Sequence, residues 1–225
     1  MTARHEHTEP PPTADSALRR QQAILAGHTG DPREARRHLV DVDPPVRSAA
    51  IGALGRLGCI TDAELGTSLS DPSPQVRRRA LEIVATTAHP SGGPGLVALL
   101  SDNDSGVTEV ACWAAGERSD LADLTVALLS GIAGNHEDAL CREAAVASLG
   151  SLAHEAGLPV VLAALQDRPP VRRRAVLALA AFEGPDVEAA LERALDDRDW
   201  QVSQAAEDLL GESTRQRLPA TAEDR

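Results

Sequence analysis

The chain has 225 residues, a formal net charge of −12 and 1% aromatic content, with one Phe, two Trp and no Tyr. So few aromatics beside abundant alanine and leucine exclude a β-sandwich core, which draws on aromatic and β-branched residues, and favour close-packed helices. The acidic balance, with every basic side chain an arginine and none a lysine, argues against a general nucleic-acid or anionic-membrane binder.

Residues 1–13, MTARHEHTEPPPT, are polar with three consecutive prolines, Pro10 to Pro12, and are expected to be a disordered tail. His5 and His7 flank Glu6 there, but two histidines on an unordered segment lack the geometry of a metal site. The tail has no apolar core of a signal peptide. No run in the chain approaches the ~18 consecutive apolar residues of a membrane helix, so the cytoplasm is the expected compartment. Cys59, Cys112 and Cys141 have no paired spacing and read as small apolar residues in a reducing environment.

Residues 14–28, ADSALRRQQAILAGH, form an amphipathic helix expected to cap the first repeat. Next comes PREARRHLV, whose Arg33, Arg36 and Arg37 join Arg19 and Arg20 in a locally basic end, read as a solvated face. From Asp41 the chain repeats one unit six times: DVDPPVRSAAIGALG, DPSPQVRRRALEIVA, DNDSGVTEVACWAAG, HEDALCREAAVASLG, QDRPPVRRRAVLALA and DRDWQVSQAAEDLLG. The sixth residues, Val46, Val76, Val107, Cys141, Val171 and Val202, are separated by 30, 31, 34, 30 and 31 positions. A fixed period of this length marks a repeat solenoid.

Each unit carries its own helix start. The third residue offers a side-chain oxygen in Asp43, Ser73, Asp104, Asp138 and Asp199, with Arg168 the exception, and that is the N-cap position. Pro44, Pro74 and Pro169 follow it in three units, where a missing N–H costs nothing. Four places past each anchor stands Ala50, Ala80, Ala111, Ala145, Ala175 or Ala206; nine past it stands another small residue, from Gly55 to Gly211. Shorter apolar segments such as DAELGTSLS and DVEAALERAL precede the units, so each repeat reads helix, tight turn, helix. The longer spacing before the fourth unit puts extra residues at Ser130–Asn135, a bend or an edge loop. The polar residues 213–225 are expected to be a second disordered tail.

The pattern D-x-D-P-x-V-R-x-x-A-x-x-A-L-G, closest at Asp41–Gly55, resembles the short HEAT-like repeat named after phycobilisome lyases. The resemblance covers roughly residues 31–212 and implies an all-α, right-handed α-solenoid of about six HEAT-like helix–turn–helix repeats. Its period is shorter than the 40–47 of ordinary HEAT and armadillo units. The domain reading is therefore a tail 1–13, a cap helix 14–28 with repeats 31–212, and a tail 213–225.

In a HEAT-type stack, as the resemblance implies, the second helices line the concave surface. Anchor and anchor-plus-four face the core, which leaves positions two, six and nine past the anchor on another face. This face carries Arg78 and Glu82, then Glu109 and Trp113, then Glu143, then Arg173 and Leu177. Trp113, flanked by Glu82, Glu109 and Glu143, is the candidate anchor for a partner, since tryptophan and arginine are enriched at binding hot spots; the alternative is that it folds over to fill a gap above the small residues around it. Trp200 opens the last second helix and is expected to pack half-buried over its turn. Arg77 and Arg172, first in their Arg-Arg-Arg runs, share a slot with Arg47 and Arg142 and are expected to meet leading acids such as Asp41, Asp71, Asp102 and Asp197 in a ladder. The two runs stand three repeats apart, roughly 25–30 Å at helix packing distances, and make no continuous phosphate-tracking surface.

Similar repeats imply three enzymatic alternatives. Alkylpurine DNA glycosylases of HEAT-like build would cast Trp113 with Arg78 or Arg173. Deoxyhypusine hydroxylases use His-Glu pairs as di-iron ligands, for which His136-Glu137 and His154-Glu155 are the candidates, at unmatched repeat positions. Phycobilin lyase homologues offer no signature residue here. There is no phosphate loop with a lysine, no Cys/His zinc spacing and no nucleophile elbow. The expected function is a non-catalytic scaffold that binds another protein through its concave groove, with no cofactor, no metal and no nucleic acid.

Overall fold

Turn chemistry decides where each helix of this chain begins. The structure, a computed structural model, describes residues 14–217, and among them the regular elements are thirteen α-helices and three short 3₁₀ segments. His5, His7 and the rest of the N-terminal tail lie outside the described residues, as do 218–225 of the C-terminal one.

The chain divides into two compact units, Met1–Ile83 and Val84–Arg225. The first holds α1 (Ala14–Thr29), α2 (Pro32–Arg37), α3 (Pro44–Arg56), α4 (Asp62–Leu69) and nearly all of α5 (Pro74–Val84). The second holds α6 (Gly92–Leu99), α7 (Ser105–Gly116), α8 (Ala122–Asn135), α9 (Ala139–Leu152), α10 (Leu158–Ala164), α11 (Pro169–Leu179), α12 (Pro185–Ala194) and α13 (Trp200–Arg217). The last helix thus runs past the expected boundary at 212.

In the first unit α1 packs along α3, and α2 closes against both. In the second, α7, α9, α11 and α13 pack side by side in order, each also packing against its own first helix, α6, α8, α10 or α12. The repeat therefore is two helices per layer, with one layer of first helices and one of second helices. The six anchors and the six alanines after them are all buried, none more than 1% exposed. Burying a valine or leucine side chain contributes about 1.5–3 kcal/mol, and the period of the repeat is the period of that burial.

Three of the five expected cap oxygens cap their helices. The carboxylates of Asp104, Asp138 and Asp199 accept from the backbone N–H of Val107, Leu140 and Gln201, each at 3.0 Å. Asp43 does not cap α3; its carboxylate turns to the Arg19 guanidinium at 2.6 Å instead. The leading acids tie the turn ahead of the cap. Asp41, Asp71, Asp102 and Asp197 accept from the N–H of Asp43, Ser73, Asp104 and Asp199 at 2.8–2.9 Å.

The expected arginine ladder is present within each unit. Arg47 donates to both carboxylate oxygens of Asp71 at 2.7 and 2.8 Å, and its other amine reaches back to the carbonyls of Asp41 and Val42. Arg142 does the same with Asp167 and with the carbonyls of His136 and Glu137. Arg172 bridges to Asp197 and back to the Asp167 carbonyl. Arg19 supplies the first rung from α1 to Asp41 at 2.7 Å. One junction lacks a rung. Thr108 fills the arginine slot between α7 and α9, bonding only its own Asp102 carbonyl at 3.3 Å. His136 stands where an aspartate would lead, its Nδ1 accepting from the Asp138 N–H at 3.1 Å.

The same junction carries the longer spacing, and of the two expectations for Ser130–Asn135, a bend or an edge loop, the loop is absent. Those residues continue α8 to Asn135, because Leu129 and Ala133 keep one face buried to its end.

Two consequences are measurable. A Cβ on Gly150 would stand 2.8 Å from the Ala178 Cβ and 2.9 Å from its Cα, while one on Gly131 in α8 meets nothing within 4 Å. Gly150→Ala is therefore expected to destabilise by about 1–3 kcal/mol, and Gly131→Ala to stabilise by about 0.5–1 kcal/mol, in urea unfolding followed by circular dichroism. Hydrogen bonds from Arg19, Arg142 and Arg172 hold the carboxyls of Asp41, Asp167 and Asp197 below their usual range. Stability from these groups is present above the unfolded aspartate value of about 3.9 and is lost as pH falls through the lower folded values. The urea midpoint should hold from pH 7 to 5 and drop below about pH 4. Arg142→Gln, whose partner Asp167 is 18% exposed at its side chain, should cost about 2 kcal/mol at pH 7 and flatten that acid drop.

Candidate functional site

With anchor and anchor-plus-four inward, the residues two and six past the anchor stand one turn apart on the outward side of each second helix. In the second unit this brings five of the seven expected residues onto one face of α7, α9 and α11. Glu109 and Trp113 come from α7, Glu143 from α9, and Arg173 and Leu177 from α11. Trp113 is 43% exposed and Leu177 40%. They occupy the same register position two helices apart, with the small Ala147 of α9 between them. The result is an apolar stripe that dips in the middle. Arg174 donates to Glu143 at 3.2 Å, so that carboxylate is partly answered. The side chains of Glu109 and Arg173 make no hydrogen bond or ion pair among the described residues.

The other two expected residues, Arg78 and Glu82, belong to α5 in the first unit. Arg78 is exposed, and Glu82 pairs with Arg79 one turn before it. The expected ninth position is exposed at Ala180 but closed at three others. Gly55, Gly116 and Gly150 are contact points, where an added Cβ would come within 2.8–3.0 Å of Ile83, Ser148 and Ala178 on the next second helix. Trp200 also departs from expectation. At the start of α13 it is 71% exposed rather than half-buried over the turn.

The candidates for chemistry have structural work. His136 and His154 each use Nδ1 to accept a backbone N–H, from Asp138 at 3.1 Å and Ala156 at 3.2 Å. Among the described residues no group of three or more His, Cys, Asp and Glu could hold a metal ion. Burial pushes the Cys112 and Cys141 thiols up to about 12, so neither is a thiolate nucleophile near neutral pH. No helix of the described residues is long and apolar enough to cross a membrane.

Two features escaped sequence reasoning. Arg118 is buried, donating to the carbonyls of Val84 and Thr87 and bidentately to Asp120; its R-x-D spacing was the available signal. A concavity of about 270 Å³ opens between α1, α3 and α5 of the first unit and is lined by Arg20, Arg56 and Arg79. Most of the basic end expected there is consumed internally: Arg19 by Asp41 and Asp43, Arg36 by Glu64 and Arg37 by Glu34.

Known proteins agree with this architecture. The HEAT repeats family matches residues 63–150 and again 125–211, more than half of the chain. The Escherichia coli protein YibA is similar over 94% of this chain and 79% of its own, with a TM-score of 0.65 at 18% identity. An engineered protein is similar over 80% of this chain and 97% of its own, with a TM-score of 0.60 at 19% identity. A designed armadillo repeat protein in complex with the peptide (KR)4 is similar over 86% of this chain and 97% of its own, with a TM-score of 0.55 at 18% identity. No curated protein matches the chain in sequence. At such identities the likeness is one of fold, that of all-α solenoid repeat proteins. With its repeating burial, its stacked helix pairs and the matching repeats, the chain belongs to the HEAT-repeat family.

Proposed function

We propose that this chain is a non-catalytic interaction scaffold that binds a segment of another protein across the outward face of its second helices. The observation that carries the reading is the exposure of Trp113 and Leu177 at one register position of α7 and α11, with Ala147 between them. A tryptophan presents a large apolar surface with few rotatable bonds, and such residues dominate binding energy when a partner covers them. Helices packed 8–10 Å apart put the two anchors roughly 16–20 Å from one another. An extended segment of about five or six residues spans that distance at about 3.3 Å per residue. Glu109 and Glu143 beside the tryptophan favour a segment that carries a cation, which can also lie over the indole ring. The designed armadillo protein holds a (KR)4 peptide, and a formal charge of −12 makes a basic segment an electrostatic fit here as well.

The test is a cross-linked pull-down from native lysate with wild type, Trp113→Ala and Arg173→Glu. A partner held by wild type should be weakened about thirtyfold by Trp113→Ala, the loss typical of a hot-spot residue, with helicity and unfolding midpoint unchanged. If the same partners come down equally with all three proteins, the face is misassigned. If quantitative capture yields none, the scaffold reading fails.

A further inference from the structure

Arg19, Arg36, Arg37, Arg47, Arg118, Arg142, Arg172 and Arg174 each have an acidic partner. The concavity of the first unit gathers arginines that are mostly not so matched. Arg20 of α1, Arg56 of α3 and Arg79 of α5 converge on it with Ser48 and Gln75. Only Arg79 meets a carboxylate, that of Glu82, while Arg20 and Arg56 have none among the described residues. Three guanidiniums and one carboxylate leave the site a net charge of about +2, on a chain whose formal charge is −12.

Two glycines seat these guanidiniums. A Cβ on Gly52 would stand 2.4–2.8 Å from Nε, Nη2 and Cζ of Arg79. A Cβ on Gly27 would stand 2.9 Å from Nη1 of Arg56. The backbone of α1 and α3 is therefore left bare where the two arginine heads rest. Arg20 and Arg56 are exposed, so water screens their charges in part, and an oxyanion among the guanidiniums supplies the counter-charge that the lining lacks. Guanidinium forks match phosphate oxygens bidentately, which a lysine ammonium cannot do.

We propose that this concavity is a binding site for a phosphorylated serine or threonine on a partner protein. A phosphomonoester carries about −1.5 to −2 charge at pH 7, which answers the charge of about +2, whereas a single carboxylate answers half of it. A volume of about 270 Å³ leaves room for a phosphate and the first atoms of its carrier. The lining residues all belong to the first unit, so the site stands independently of the Trp113 face.

Fluorescence anisotropy tests it, using a dye-labelled glycine–serine peptide with one phosphoserine and the same peptide unphosphorylated. The phosphopeptide should bind at least tenfold more tightly than its counterpart and than inorganic phosphate. Arg56→Gln and Gly52→Ala should each weaken it tenfold or more, the second by displacing Arg79. Arg33→Gln, an exposed arginine outside the lining, and Trp113→Ala should leave it unchanged; circular dichroism checks that the variants fold. Equal binding of the two peptides overturns the proposal. So does an equal loss with Arg33→Gln, inorganic phosphate bound as tightly as the peptide, or a single-stranded oligonucleotide bound more tightly than either.

Discussion

An arginine one place past the buried anchor holds two turns at once. Its guanidinium bonds the carbonyls of its own turn on one side and both oxygens of the next turn's aspartate on the other, as Arg47, Arg142 and Arg172 show. Asp71 and Asp197 in their turn fix the backbone N–H two residues on, and Asp167 that of the next residue. Backbone groups that a sharp turn would leave unsatisfied are thereby used, and neighbouring layers are set at one spacing. The apolar anchors then need only be small and regular. That explains why a chain with one phenylalanine and two tryptophans still packs closely, with alanine and glycine at the helix contacts.

The fold was legible because the repeat states each of its requirements six times. Cap oxygen, proline, anchor and alanine recur at one spacing, and a pattern that is ambiguous in one copy is not ambiguous in six. The errors fall where a residue has two physical uses. Asp43 looked like a cap, but a nearby Arg19 offers a full charge where the helix offers one N–H. Ser130–Asn135 looked like a loop because it interrupts the period, yet the interruption is absorbed as another turn of α8.

The candidate site was legible in part. Helical register placed Glu109, Trp113, Glu143, Arg173 and Leu177 on one side, since a residue two or six past a buried anchor has few other places to go. Gly55, Gly116 and Gly150 were misread because a glycine looks alike in sequence whether it opens a groove or admits a neighbouring helix. The arginine concavity was not readable at all. Arg20, Arg56 and Arg79 come from three helices, and what joins them is the pair of bare glycine positions on which two of them rest.

The missing rung between α7 and α9 bears on how the array could lengthen or shorten. Every arginine rung uses the same two partners, so the junctions of α9, α11 and α13 are interchangeable. Loss of residues 167–196 as a block would leave Arg142 facing Asp197 and the ladder intact. Loss of residues 136–166 would instead set Thr108 against Asp167, a half-buried carboxylate with no guanidinium to meet it. Repeats after α9 can thus be copied or removed as modules, while the α7–α9 pair, with threonine and histidine in place of arginine and aspartate, would pass through such rearrangements as a single block.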